Sequence, residues 1–223
     1  PYNNYTDSLE VNNSNIFSRN RSSNLFEWES GPRINYGAEW FIDYKGIYDG
    51  NLIIGQSIKF NKEKSDTSDE ISDIMTSFFT NFDKNIYTNA EFIIDRKKYS
   101  INKSNITSSI YIKDFALKAE YDYVSNKFSA ASEQLGLATK IKINKDLNFF
   151  FSGKRDLNSK ENIGYESGLF YENDCLAIEF KYYRDLTKFK DIEDTKGLSL
   201  LITLKPFGSS KSFGKSKTFG PQI

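Results

Sequence analysis

Every second residue is apolar along most of this chain, and a period of two places those side chains on one face of an extended strand. In Arg33 to Lys45 the apolar set is Ile34, Tyr36, Ala38, Trp40, Ile42 and Tyr44 against Arg33, Asn35, Gly37, Glu39 and Asp43, with Phe41 the misfit. The pattern returns in Asn51–Phe60, Asp73–Phe82, Thr88–Lys97, Asn105–Lys113, Ala116–Val124 and Gln134–Asn144. It is cleanest in Leu147–Arg155, Asn162–Tyr171, Cys175–Leu186 and Lys196–Lys205. These runs predict an all-β protein of about eleven antiparallel strands of roughly ten residues each.

The connections sort by length. Asp114–Phe115, Lys145–Asp146 and Glu172–Asp174 are short, whereas Asn61–Ser72, Ser125–Glu133, Asp156–Glu161 and Thr187–Thr195 are longer and polar. Short turns therefore fall at one end of the sheet and long loops at the other. That asymmetry, with strands of about 9–11 residues, is expected of a transmembrane β-barrel. A soluble sandwich has strands nearer five or six residues and no reason to sort its loops.

Composition changes the picture only once the alternation is known. Of the 223 residues 38% are hydrophobic, a low figure beside the 16% that are aromatic. A barrel wall reconciles the two, because its lumen-facing half is polar while Phe, Tyr and Trp near strand ends form interfacial girdles. No apolar run approaches the roughly 18 residues of a membrane helix. Pro1 opens the chain without a charged, then apolar leader, so any secretion signal is expected outside it, and the chain is expected to be a fragment.

Thirty basic and thirty acidic residues cancel, so no global field gathers nucleic acid. The absence of histidine removes the usual general base, the common nucleophile pairs and most catalytic zinc or non-haem iron sites. No phosphate cradle, nucleophile elbow or calcium loop is present, and neither enzymatic activity nor a cofactor is expected. Glu166 and Glu179 could form a glycosidase-like pair, but no spacing selects them. On the barrel reading Lys118, Glu120, Lys140, Lys142, Glu166, Glu179 and Lys181 instead line a polar lumen, and Leu176, Ile178, Phe180, Leu198, Leu200, Ile202 and Leu204 face lipid.

Residues 1–32 lack clean alternation and read as one long loop, with Phe26 and Trp28 in a possible short strand. Residues 33–205 form the barrel segment. Residues 206–223, with Lys211, Lys215 and Lys217, read as a flexible basic tail.

Several strings occur together in a familiar order: Pro1-Tyr2-Asn3, Asp7-Ser8-Leu9-Glu10, Asn15-Ile16-Phe17-Ser18 and Asn20-Arg21, then Glu29, Gly31, Arg33 and Asn35-Tyr36-Gly37. Gly55-Gln56-Ser57, Tyr171-Glu172-Asn173-Asp174-Cys175, Tyr183-Arg184-Asp185, Asp191-Ile192 and Thr203-Leu204-Lys205 follow colinearly. Over residues 1–205 the chain resembles the C-terminal barrel of the lipopolysaccharide-assembly protein family (LptD, organic solvent tolerance protein). The resemblance implies an integral barrel of the cell outer membrane that inserts lipopolysaccharide into the outer leaflet. It also implies a plug lipoprotein, a periplasmic bridge protein reached through an N-terminal domain, and the barrel-assembly machinery as partners.

In that family a cysteine at the position of Cys175 forms a disulfide with the N-terminal periplasmic domain; here Asp174 precedes a single Cys175. The bland reading is a small residue at a strand start. The resemblance further implies that Lys196–Lys205, with Leu198, Leu200, Ile202 and Leu204, is the last strand, bordering a lateral seam and lacking a partner in this chain. Two alternatives stay open: a generic porin or autotransporter barrel, and a soluble β-sandwich adhesin or carbohydrate binder using Trp28 and Trp40.

Overall fold

The computed structural model describes residues 32–60, 71–126, 131–187 and 194–205, and the backbone of 209–213. The strands, in chain order, are β1 (Arg33–Tyr44), β2 (Tyr48–Lys59), β3 (Ile74–Phe82), β4 (Ile86–Ile94), β5 (Ile101–Ile112) and β6 (Phe115–Val124). They continue as β7 (Ser132–Lys142), β8 (Leu147–Asp156), β9 (Asn162–Glu172), β10 (Leu176–Asp185), β11 (Thr195–Leu204) and the short β12 (Ser209–Phe213). All pair antiparallel with their chain neighbours in one sheet whose order is the sequence order, and β1 and β12 stand at its two ends. The chain is all-β and its sheet is open, consistent with a partial barrel.

Eleven strands fall where the alternation predicts them. The predicted edges move: β4 and β5 begin at Ile86 and Ile101 rather than at Thr88 and Asn105. Ile93 pairs with Lys103 but Ile94 with Ile101, so Asn102 is skipped as a bulge. That extra residue breaks the period of two and hides the start of β5.

β12 corrects the expectation that β11 is last and that its outer edge is bare. Leu200 to Leu204 pair with Phe213 to Ser209. The reason lies in the backbone: an edge strand presents a row of unsatisfied N–H and C=O groups, and the segment beyond Pro206 occupies half of that row. Apart from Pro32 and β12, the expected long loop (1–32) and basic tail (206–223) lie outside the described residues, as do Trp28 and Asp191-Ile192.

The connections sort as the sequence suggests. Connections 45–47, 83–85, 113–114, 143–146, 173–175 and 205–208 have two to four residues and join strand ends at one end of the sheet. Connections 60–73, 95–100, 125–131, 157–161 and 186–194 have five to fourteen residues and join strand ends at the other. Lys45, Gly46, Asp83, Lys84 and Lys113 take positive φ at the short end, the left-handed backbone that tight hairpins demand.

Register assigns every strand residue to a face, since directly paired residues point the same way. One face is built from pairs such as Trp40 with Leu52, Ile110 with Leu117, Phe149 with Leu169 and Phe180 with Leu200. The other joins Asp49 with Asn81, Lys118 with Ser109 and Ser152 with Glu166. Burial is inverted relative to a water-soluble core. Among the described residues eleven polar or charged side chains are buried, against only Met75, Ala90, Ala138 and Tyr183 of the apolar ones. Large hydrophobics such as Ile34, Trp40, Leu137, Phe180 and Leu198 are exposed.

Candidate functional site

The polar face holds the chain's concentrated chemistry, and alternation places it there. On β6, Lys118, Glu120 and Asp122 share that face because each is two residues from the next. On β7 it carries Lys140 and Lys142, on β8 Ser152 and Lys154, on β9 Glu166, and on β10 Glu179 and Lys181.

The tightest cluster spans β8 to β10. Ser152 Oγ donates to Glu166 Oε1 at 3.0 Å, and Lys181 Nζ lies 3.3 Å from Glu166 Oε2 and 3.7 Å from Glu179 Oε1. The Lys181 and Glu166 side chains are only 6% and 4% exposed. A charge so removed from water persists only when paired and hydrogen-bonded, and here the two carboxylates converge on one ammonium. The cluster floors a depression of about 220 Å³ that Lys140, Phe150 and Phe170 also line. Lys140 Nζ sits 5.9 Å from the centre of the Phe170 ring, within cation–π range.

A second cluster is one the sequence reading missed. Asn105 Nδ2 donates to Asp122 Oδ1 at 2.5 Å, and Lys154 Nζ lies 3.1 Å from Asp122 Oδ2. Lys154 reaches β6 from β8 across β7, where the residue opposite it is Gly136, with no side chain to block the path. The alternation Lys118, Glu120, Asp122 was the available signal for Asp122. Lys154 could be found only with the register of three strands.

The structure therefore brings Glu166, Glu179, Lys181 and Lys140 together around one depression. Lys118 and Glu120 share the face farther along, on β6, and Lys142 is exposed near the short-turn rim. Among the described residues no three of Cys, Asp and Glu converge as a metal-holding group.

Cys175 is the last residue of the 173–175 turn, exposed and with a free thiol. Asn173 shapes this turn: its Oδ1 accepts from the N–H groups of Cys175 at 3.0 Å and Leu176 at 2.8 Å. The 143–146 turn repeats the device, with Asn144 Oδ1 accepting from Asp146 and Leu147, each at 2.9 Å. Asparagine suits both places because its short side chain mimics a turn of backbone. Cys175 thus lies at the short-turn end of the sheet.

Leu198, Leu200, Ile202 and Leu204 all lie on the apolar face, paired with Tyr182, Phe180, Ile178 and Leu176. The edge of β11 beside Leu200 to Leu204 is covered by β12, and among the described residues Thr195 to Ser199 have no strand partner on that side. Across β1 to β11, charged side chains avoid the apolar face except in the second residue from a strand end. No helix of the described residues is long and apolar enough to cross a membrane, which leaves crossing by strands untouched. The chain matches no family model and no curated protein.

Proposed function

We propose that this chain is part of the wall of an outer-membrane β-barrel, serving lipopolysaccharide transport and assembly in the outer leaflet without enzymatic activity. One observation carries the membrane reading: charge and polarity are buried on one face of an open sheet while a band of large apolar side chains is exposed on the other. In water such a band would drive aggregation. In hydrocarbon it is the stable arrangement, and ten residues at about 3.3 Å each, tilted by about 40°, span the roughly 25 Å apolar band of such barrels.

The lipopolysaccharide assignment rests on the colinear strings between Pro1 and Lys205. In this reading the polar face, with its paired Glu166, Glu179 and Lys181, looks toward plug and substrate, and the short-turn end faces the periplasm. In the same reading the exposed Cys175 pairs with a cysteine of an N-terminal periplasmic domain, as the resemblance implies. Neighbouring barrel strands satisfy the β1 edge, since unpaired backbone is costly in lipid.

The test uses the complete reading frame. Its product should fractionate with outer membranes, migrate faster on a gel unheated than boiled, and on depletion cause newly made lipopolysaccharide to disappear from the cell surface. A detergent-free soluble monomer would overturn the barrel. A membrane-inserted product whose depletion alters solute uptake but not surface lipopolysaccharide would make it a pore.

A further inference from the structure

Four residues of β1 to β11 break the separation of charge from the apolar face: Glu133 on β7, Arg155 on β8, Arg184 on β10 and Lys196 on β11. Each is the second residue from its strand's end at the long-loop rim. On β1 to β11 the short-turn rim of the same face carries no charge. Three of the four are cations, gathered on β8 to β11. Arg184 is directly opposite Lys196, and two strand spacings, about 10 Å, separate it from the strand of Arg155.

Two neighbouring anions among the described residues are already engaged. Glu133 Oε1 accepts from the Tyr121 hydroxyl at 2.9 Å, and Asp194 Oδ2 takes Arg184 Nη2 at 2.6 Å. Arg155 gives Nη2 to the Lys160 carbonyl at 3.1 Å, leaving other N–H donors of its guanidinium. Lys196 is exposed and forms no ion pair among the described residues. In this row Tyr165 stands opposite Arg184, and its ring centre is 6.3 Å from that of Tyr182, one step inward. Leu198, opposite Tyr182, is 59% exposed, and Phe180 one step deeper is 45% exposed.

Cations with Tyr165 at the rim, then Tyr182 beside Leu198, then the apolar surface from Phe180 inward follow the phosphate, interfacial and acyl zones of an anionic lipid. We propose that Arg155, Arg184 and Lys196 form an external binding strip for the phosphate-bearing headgroup of a lipid in the leaflet at the long-loop rim, whose chains lie over Phe180 and the apolar face beyond it. The strip is on the opposite face from the lumen cluster and acts on surrounding lipid. It rests on the membrane-barrel reading.

The experiment uses the full-length product in nanodiscs of phosphatidylcholine mixed with phosphatidylglycerol. Lipids that remain bound after mild detergent extraction are counted by native mass spectrometry. Wild type should retain phosphatidylglycerol in preference to phosphatidylcholine, and the preference should fall as salt is raised. Arg155→Gln and Lys196→Gln should each lower it about fivefold, as expected for one basic residue at an anionic surface. The charge-keeping pair Arg155→Lys and Lys196→Arg should restore it.

Unheated samples run on a gel separate the two levels of the argument. Heat-shifted, folded barrels with equal lipid retention in wild type and the glutamine variants would overturn the strip and leave the barrel standing. A wild type that shows no heat shift and stays soluble would overturn both. A wild-type dimer that the glutamine variants abolish would assign the strip to a second copy of the chain and overturn the lipid.

Discussion

Lys181 meets Glu166 diagonally across β9 and β10, because the residue directly opposite Lys181 is Gly168. A Cβ at Gly168 would press into the carbonyl oxygen of Phe180 and come within 2.7 Å of the Phe150 ring. The glycine thus keeps backbone, ring and ammonium in one small space. Gly168→Ala should destabilise the folded barrel by about 1–3 kcal/mol, the usual cost of overpacking. Urea titration of the heat-shifted band would measure it, and an unchanged midpoint would refute the close packing.

Removing either partner of the buried pair leaves the other uncompensated. Lys181→Ala and Glu166→Ala should each cost about 3 kcal/mol, more than exposed pairs such as Lys205 with Glu172, whose value is about 0–1 kcal/mol. Replacing both by Met and Leu should recover much of the loss. Additive losses in this double-mutant cycle would mean the two charges are not coupled.

The two faces should respond oppositely to charge. Phe180→Arg puts a cation mid-strand on the apolar face and should cost about 2–4 kcal/mol of bilayer stability, whereas Leu198→Arg, nearer the long-loop rim, should cost about 0–1 kcal/mol. Reversible unfolding from lipid vesicles reads the difference. Equal, small effects would indicate that this face meets water.

Strand existence and facing were legible in the sequence because a period of two survives local noise: Phe41 interrupts the first run without moving Trp40 or Ile42 off the apolar face. Pairing register was not. It depends on turn lengths and on bulges such as that at Asn102, so the link from Lys154 to Asp122 became visible only with β6 to β8 aligned. β12 was hidden for another reason: Pro206 stops the alternation, and five residues of Ser, Lys and Phe carry too short a pattern to announce a strand. The cations at Arg155, Arg184 and Lys196 were in plain view. Their meaning came from knowing that they share a face and a rim.

The sorting of turns fixes the sidedness of labelling. Cys175 lies in the 173–175 turn and Ser159 in the 157–161 loop, at opposite ends of the sheet. If the strands span a bilayer, reduced Cys175 should react with a membrane-impermeant maleimide only from the compartment at the short turns. A cysteine at Ser159, in a chain carrying Cys175→Ser, should react only from the other side. Both positions are exposed, so slow reaction from either side would reflect the barrier and not burial. Asn173→Ala, which removes the acceptor for the Cys175 and Leu176 N–H groups, should loosen the turn at a cost of about 1 kcal/mol and leave the sidedness intact. Labelling of Cys175 and of the Ser159 cysteine from the same side would be incompatible with a spanning sheet, whatever its lipid or cargo.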